Sequence, residues 1–169
     1  LAFAPLKSVV SVINIATDGS ETPYDLIGNG NDIVEGDVSQ PNTISQQLQE
    51  CYVIIHTAAL VSNAMQDSDM WQVNVLATRN LIQAAKEHKV RRFVQISSIV
   101  AYGNSAEGEL DETHPVHADG GSYVLTKLAS EHVVLSEQAN DDIEVVIIRP
   151  GDAYGPGSRP WIIAPLEAI

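Results

Sequence analysis

Two residues with complementary acid–base chemistry stand four positions apart in the second half of the chain. Tyr123 and Lys127 fall within Ser122–Asn140, a segment whose apolar pattern predicts a helix. Their side chains therefore lie on one helix face. An ammonium group beside a phenol favours the phenolate and lowers a pKa that is about 10 in isolation. A phenol tuned in this way exchanges a proton with an alcohol or a carbonyl oxygen. Taken alone, however, the spacing also fits an exposed helical pair.

A hydroxyl that could serve the same reaction follows a predicted strand. Ser98 ends the segment Arg91–Ser98, and the sites of open parallel sheets lie at the carboxyl ends of their strands. The hydroxyl of Ser98 would donate to a substrate oxygen while Tyr123 handles the proton. The alternative is a strand-end turn in which the serine bonds to its own backbone. We predict that Ser98, Tyr123 and Lys127 form one catalytic group.

The elements that must position these residues alternate between apolar strands and helical patterns. The predicted strands are Ser8–Ala16, Asp32–Asp37, Cys51–Ala59, Arg91–Ser98 and Ile143–Pro150, and the predicted helices are Pro41–Glu50, Ser68–Lys89 and Ser122–Asn140. Strands that are apolar throughout indicate a sheet covered on both faces. Strand–helix–strand units indicate parallel pairing. The sequence therefore predicts an α/β fold with an open, doubly wound, Rossmann-like parallel sheet.

Charge and composition narrow the class of ligand. The net charge of −13 repels nucleic acid phosphates and anionic membranes, since both are bound through Lys and Arg. Cys51 is the single cysteine, no Cys/His group has zinc spacing, and no apolar run approaches the roughly 20 residues of a membrane span. We expect a small-molecule substrate, no nucleic acid, no metal, no transmembrane segment and a cytoplasmic location. The sequence leaves open whether the chain forms a homodimer.

Six ordered motifs carry a resemblance to a known family. They are EGDVS (35–39), VIIHTAA (53–59), VNVLATRNLIQAA (73–85), RRFVQISSIVAYG (91–103), SYVLTKLASE (122–131) and IIRPGDAYGPG (147–157). This series, from about Val34 to Arg159, resembles the extended short-chain dehydrogenases/reductases, also called the NAD-dependent epimerase/dehydratase family. The HTAAL strand and RPGDAYGPGSRP are closest to the hydroxysteroid-dehydrogenase-like and general epimerase branches.

The resemblance implies a role for each matching position. Ser98, Tyr123 and Lys127 match the catalytic triad, and the last two also match cofactor contacts. The other positions that match cofactor-binding residues are Asp37 and Val38 beside the adenine, Ala58 and Ala59 at a strand end, Asn74 in a helix, and Pro150 and Ala153 beside the nicotinamide. Each has a structural alternative. Asp37 fits a turn cap, the alanines fit simple packing, and Asn74 fits an ordinary satisfied core amide.

The glycine-rich turn that normally holds the pyrophosphate is not found. Residues 28–30 form G-x-G, but no third glycine or helix pattern follows. By the resemblance, Ser8–Ala16 is already the second strand, so the first strand and its loop would precede Leu1. The substrate lobe would continue past Ile169. We therefore expect residues 1–169 to be a partial dinucleotide-binding domain that folds poorly and binds dinucleotide weakly on its own.

The cofactor and the reaction follow from the same comparison. The segment Ser8–Ala16, which matches the second strand of the family, ends in Ala16. Family members that prefer NAD usually carry at this position an acidic residue that binds the ribose hydroxyls. No Arg is adjacent that could bind the 2′-phosphate of NADP. NAD is the expected cofactor, with NADP left open. The leading hypothesis is an oxidoreductase that interconverts a secondary alcohol and a ketone on a sterol-like small molecule. The alternatives are a nucleotide-sugar epimerase or dehydratase and a truncated, non-catalytic family member.

Overall fold

The computed structural model contains a sheet of three parallel strands with helical connections. It describes residues 38, 40–44, 48–49, 51–61, 67–103, 108–139, 142–152, 154–155 and 162–168. The strands are β1 (Val53–His56), β2 (Arg92–Ile96) and β3 (Glu144–Ile148). They lie in the order β1-β2-β3, and both pairs are parallel. This confirms the predicted parallel sheet.

Helices connect each strand to the next. Between β1 and β2 run α1 (Asp67–Trp71), a π-helical turn (Gln72–Leu76) and α2 (Ala77–Glu87), without a break. Helix α3 (Ser122–Gln138) connects β2 to β3. The shorter elements are 3-10 helices at Pro41–Ile44 and Ile99–Tyr102, and α4 (Ala164–Glu167). No helix in the described part of the chain is long and apolar enough to cross a membrane.

The hydrophobic core lies where the sheet meets α2 and α3. Its buried members are Leu48, Cys51, Ile54, Leu81, Ile82, Ala85, Val90, Phe93, Val134 and Ile143. Helix α2 contributes Leu81, Ile82 and Ala85, whose spacing places them on one face of the helix. Full burial of a large apolar side chain stabilises a fold by about 1.5–3 kcal/mol. This packing fixes the carboxyl ends of β1 and β2 relative to α3.

The ends of two elements differ from their predicted positions. Strand β1 ends at His56 and does not continue to Ala59, because both backbone groups of Leu60 bond to the side chain of Asn74. The predicted helix at residues 41–50 begins as a 3-10 helix, Pro41–Ile44. The predicted strands at residues 8–16 and 32–37 lie outside the described residues.

One face of β3 departs from the expectation that the sheet is covered on both sides. Val145 and Ile147 pack against the core. Val146 and Ile148, which point to the opposite face, are 41% and 45% exposed. The described part of the chain therefore covers only one face of this strand well.

Candidate active site

Ser98 and Tyr123 meet beyond the carboxyl end of β2. Ser98 caps the 3-10 helix Ile99–Tyr102, and its Oγ accepts a hydrogen bond from the amide of Val100 at 3.4 Å. Its side chain lies near that of Tyr123, and the interaction with Ser98 acts to lower the pKa of the phenol. Two predicted members of the catalytic group, 25 positions apart in sequence, are thus neighbours in the structure.

A glycine pair sets the start of the helix that carries Tyr123. Helix α3 begins at Ser122, directly after Gly120 and Gly121. A β-carbon on Gly120 would overlap the side chain of Val124. A glycine at this point therefore lets the incoming loop pass close to the first turn of the helix, which places Tyr123 at its second residue.

Lys127 lies one helical turn after Tyr123 and is buried, with 5% of its surface exposed. Its Nζ donates to the carbonyl of Ile96 at 2.9 Å and lies 5.9 Å from the centre of the Tyr123 ring. Burial lowers the pKa of Lys127 to about 8, although the charge of Glu131 opposes this shift. The predicted shared helix face of Tyr123 and Lys127 is confirmed.

The predicted effect of Lys127 on Tyr123 differs from what the structure shows. Burial raises the pKa of Tyr123, and only the hydrogen bond with Ser98 acts in the lowering direction. The expected decrease caused by Lys127 is absent because the ammonium group bonds to the carbonyl of Ile96 and not to the phenol oxygen. In this arrangement Tyr123 holds its proton at neutral pH.

Asn74 joins the loop after β1 to helix α3. Its Oδ1 accepts from the amide of Leu60 at 2.7 Å, and its Nδ2 donates to the carbonyl of Leu60 at 3.0 Å and to Oγ1 of Thr126 at 3.1 Å. The protein itself therefore satisfies this buried amide, as the structural alternative for Asn74 requires. Its position favours bracing the site over direct contact with a ligand.

Of the remaining predicted cofactor positions, four lie in the described part of the chain and two lie outside it. Ala58 and Ala59 lie, half-buried, in the irregular segment between β1 and Leu60. The carbonyl of Pro150 accepts from the amide of Ile99 at 2.9 Å, which places the residue after Arg149 beside the Ser98 turn. Val38 is buried. Asp37 and Ala153 lie outside the described residues.

His56, at the end of β1, is a buried neutral side chain near Lys127. Its Nε2 lies 2.9 Å from Oγ1 of Thr78, whose hydroxyl hydrogen points to the carbonyl of Asn74 at 2.8 Å. The Nε2 of His56 must then be the donor. Burial, followed by the charge of Lys127, lowers the pKa of His56 to about 4. The partner of this strand-end histidine is thus the side-chain hydroxyl of Thr78.

Reasoning from the sequence missed a buried ion pair next to these residues. Glu131, 2% exposed, pairs with Arg149 through two hydrogen bonds of 3.0 and 2.7 Å. One signal was available. Glu131 lies four residues after Lys127 on the same helix face, and buried acidic residues are rare unless paired.

Comparison with known proteins gives these contacts a context. The model of the NAD-dependent epimerase/dehydratase family matches residues 4–163. The chain is 34% identical to a decarboxylating sterol-4-alpha-carboxylate 3-dehydrogenase of Candida albicans, with 74% of this chain and 37% of that protein covered. It is 36% identical to sterol demethylase protein B of Methylococcus capsulatus, with 76% and 40% covered.

A solved structure shows the same fold. UDP-glucuronic acid 4-epimerase of Bacillus cereus, in complex with NAD, matches with a TM-score of 0.71 and 29% identity, over 80% of this chain and 44% of that one. The two sterol-enzyme relatives are likewise matched over only 37–40% of their length. The described strands and helices thus correspond to a portion of these larger proteins.

Proposed function

The chain belongs to the NAD-dependent epimerase/dehydratase family, and we propose that it catalyses the NAD-dependent interconversion of a secondary alcohol and a ketone on a small molecule. Ser98, Tyr123 and Lys127 are the catalytic residues in this proposal. One observation carries it: the side chains of Ser98 and Tyr123 lie together beyond the end of β2, with the buried Lys127 ammonium one helical turn after Tyr123. Open parallel sheets bind their ligands at this edge.

The donor set of the site fits a dinucleotide. An ammonium group has three N–H donors, and the bond to Ile96 occupies one of those of Lys127. The other two are suited to ribose hydroxyls. Ala58 and Ala59 have minimal side chains, so a cofactor backbone can pass close to the chain there. In this proposal Asp37, Val38, Pro150 and Ala153 complete the contacts, Asn74 braces them, and NADP is the alternative cofactor.

The protein residues handle the proton. The chemistry that a nicotinamide supplies when bound is hydride transfer to or from carbon. In the reducing direction Tyr123, protonated at neutral pH, donates its hydroxyl hydrogen to the substrate oxygen, so the phenol O–H bond breaks and the alcohol O–H bond forms. Ser98 donates a hydrogen bond to the same oxygen and orients it. Lys127, whose ammonium is bonded to the carbonyl of Ile96 and not to the phenol oxygen, serves in this proposal to hold the ribose hydroxyls. The oxidising direction reverses these steps.

We propose a sterol-like substrate. Two relatives at 34% and 36% identity are named as sterol enzymes. The second candidate is a nucleotide-sugar epimerase or dehydratase, which would use the same three residues. The fold shared with a UDP-glucuronic acid 4-epimerase favours it.

Replacement of Tyr123 by phenylalanine in the full-length gene product tests the proposal. The variant lacks the hydroxyl that exchanges the proton with the substrate, so kcat should fall by about 100-fold or more, while NAD affinity by calorimetry stays within about threefold, a change of under 1 kcal/mol. Turnover is followed by the absorbance of the reduced nicotinamide with a 3-hydroxysterol. Tyr52→Phe is the matched control, because Tyr52 precedes β1 at the opposite edge of the sheet.

The two candidate functions need two readouts, because a sugar epimerase or dehydratase returns the hydride and leaves no net reduced nicotinamide. The sterol reaction is therefore followed by absorbance, and the conversion of UDP-glucose by chromatography of the sugar nucleotide. Turnover of the sterol but not of UDP-glucose supports the alcohol–ketone reaction. Conversion of UDP-glucose with no reaction of the sterol would replace it by the sugar reaction. Full activity of Tyr123→Phe would contradict both.

A further inference from the structure

The Glu131–Arg149 pair is built as a fork. The Nε of Arg149 donates to Oε1 of Glu131 at 3.0 Å, and the Nη2 donates to Oε2 at 2.7 Å. Glu131 is 2% exposed, and the side chain of Arg149 is 19% exposed. A carboxylate removed from water in this way is stable only while its cation stays in place.

Arg149 extends the pair to a tyrosine. Its Nη1 donates to the hydroxyl oxygen of Tyr102 at 3.0 Å, and its guanidinium carbon lies 4.7 Å from the centre of the Tyr102 ring. The Tyr102 hydroxyl in turn donates to the carbonyl of Asp111 at 3.0 Å. The pair therefore holds the loop that leads from Ser98 toward helix α3.

Each member of this assembly stands near a residue of the proposed site. Glu131 lies one helical turn after Lys127, and Arg149 immediately precedes Pro150. Tyr102 ends the 3-10 helix that Ser98 caps. Three elements that carry the site are thereby joined at one buried point.

Few titratable groups lie near Lys127 in the described part of the chain. On its own helix these groups are Tyr123, which holds its proton, and Glu131. From β1 comes His56, whose pKa of about 4 leaves it neutral at pH 7. From β2 comes the carbonyl of Ile96, which accepts from Nζ of Lys127. Glu131, one helical turn after Lys127, is therefore the carboxylate that stands next to it on the helix, and both of its oxygens are bonded to Arg149.

We propose that the Glu131–Arg149 ion pair is a positioning device that sets the charge of Lys127: Arg149 bonds both carboxylate oxygens of Glu131 and keeps them from pairing directly with Lys127. The proposal rests on the catalytic role of Lys127 proposed above. Without Arg149, Glu131 is free to pair fully with Lys127, because residues four apart on a helix are neighbours. Without the charge of Glu131, Lys127 stands near an unneutralised Arg149.

The two halves of the pair should shift the proton affinity of Lys127 in opposite directions. In the full-length gene product, the limb of the pH–rate profile on which Lys127 loses its proton should move down by about one pH unit in Glu131→Gln. The same limb should move up by about one unit in Arg149→Met and return close to its original position in the double variant. Arg149→Lys keeps the charge and should leave the limb in place. Glu137→Gln, on the same helix but paired with Lys86, is the matched control.

A second readout is independent of turnover. NMR of side-chain-labelled lysine reports the pKa of Lys127 directly, and opposite shifts there support the proposal even if the assigned reaction is wrong. Loss of activity by Tyr123→Phe tests the reaction separately. If Arg149→Met does not fold, Glu131→Gln and Arg149→Lys still give contrasting results. The proposal is overturned if the pKa of Lys127 moves in the same direction, or not at all, in folded Glu131→Gln and Arg149→Met. A pair with a purely structural role would not shift this pKa in opposite directions in the two variants.

Discussion

Lys127 opposes folding while it serves the proposed chemistry. Its pKa is 10.5 when solvated and about 8 in the folded chain. Between these values the unfolded chain binds more protons than the folded one, so stability rises with pH in that window. Below pH 8 the full cost of the buried charge is present. It amounts to about 3 kcal/mol, because each pKa unit between the solvated and the folded value corresponds to about 1.36 kcal/mol. Above 10.5 this cost disappears.

Removal of this charge should stabilise the protein and inactivate it. We expect Lys127→Met to raise the free energy of unfolding at pH 7 by about 2 kcal/mol, since about 1 kcal/mol is lost with the bond to Ile96. The gain should shrink as the pH rises from 8 to 10.5. Urea unfolding at both ends of this range measures it.

The control for this change is Lys89→Met, at an exposed position just after α2. It should alter neither the stability nor its pH dependence. A loss of stability at pH 7 in Lys127→Met, with Lys89→Met unchanged, would show that contacts of the ammonium outweigh its desolvation.

Sequence spacing identified single residues better than it identified their partners. The four-residue interval placed Tyr123 and Lys127 on one face, as observed. The interval does not reveal that Lys127 bonds to the carbonyl of Ile96, because that contact depends on how the helix packs against β2. The partnership of Glu131 with Arg149 spans 18 positions and two elements, so helical periodicity can indicate that Glu131 is buried and paired but not that Arg149 is its partner.

At the scale of elements, Asn74 lies in a π-helical turn from which it bonds to two other segments, at Leu60 and at Thr126. Helix periodicity predicted one continuous helix in this region, and the turn Gln72–Leu76 inside it was not foreseen. π-turns occur mostly as single widened turns, frequently at functional sites. Here the widened turn contains Asn74, which bonds to Leu60 on one side and Thr126 on the other.

Replacement of Asn74 by alanine should loosen this brace. The amide and carbonyl of Leu60 lose their partners, and each unsatisfied buried group costs about 1–3 kcal/mol. Because Leu60 is only half-buried, we expect a loss of about 2 kcal/mol in the free energy of unfolding. NAD affinity should fall about tenfold with it, since Ala58 and Ala59 lose their fixed position. Thermal unfolding and calorimetry in the full-length gene product measure the two effects.

Asn80→Ala provides the comparison, because Asn80 is an exposed asparagine on the same continuous helix. It should leave both quantities unchanged. Weaker NAD binding with no loss of stability would instead assign Asn74 a direct contact with the cofactor.

At the scale of the whole molecule, apolar strands separated by helical segments were sufficient to predict a parallel sheet. They were not sufficient to predict how each face is covered. Val146 and Ile148 belong to an apolar run, yet they are substantially exposed. Periodicity reports the polarity of a residue, whereas coverage depends on which elements pack against it. The G-x-G of residues 28–30 and the predicted strands Ser8–Ala16 and Asp32–Asp37 lie outside the described part of the chain.

The overall charge should govern how quickly the cofactor binds. At −13 the chain repels a dinucleotide whose pyrophosphate is anionic, and the repulsion extends about 30 Å at 0.01 M salt but only about 10 Å at 0.1 M. Adding salt should therefore speed association, by a factor of about two to ten between these concentrations, with little change in dissociation. Stopped-flow fluorescence of NADH binding to the full-length gene product measures both rates. Adenosine, which is uncharged, should associate at a rate that salt does not change. An NADH association rate that falls as salt is added would show that the local field of Lys127 and Arg149 outweighs the charge of the chain, since attraction is screened just as repulsion is.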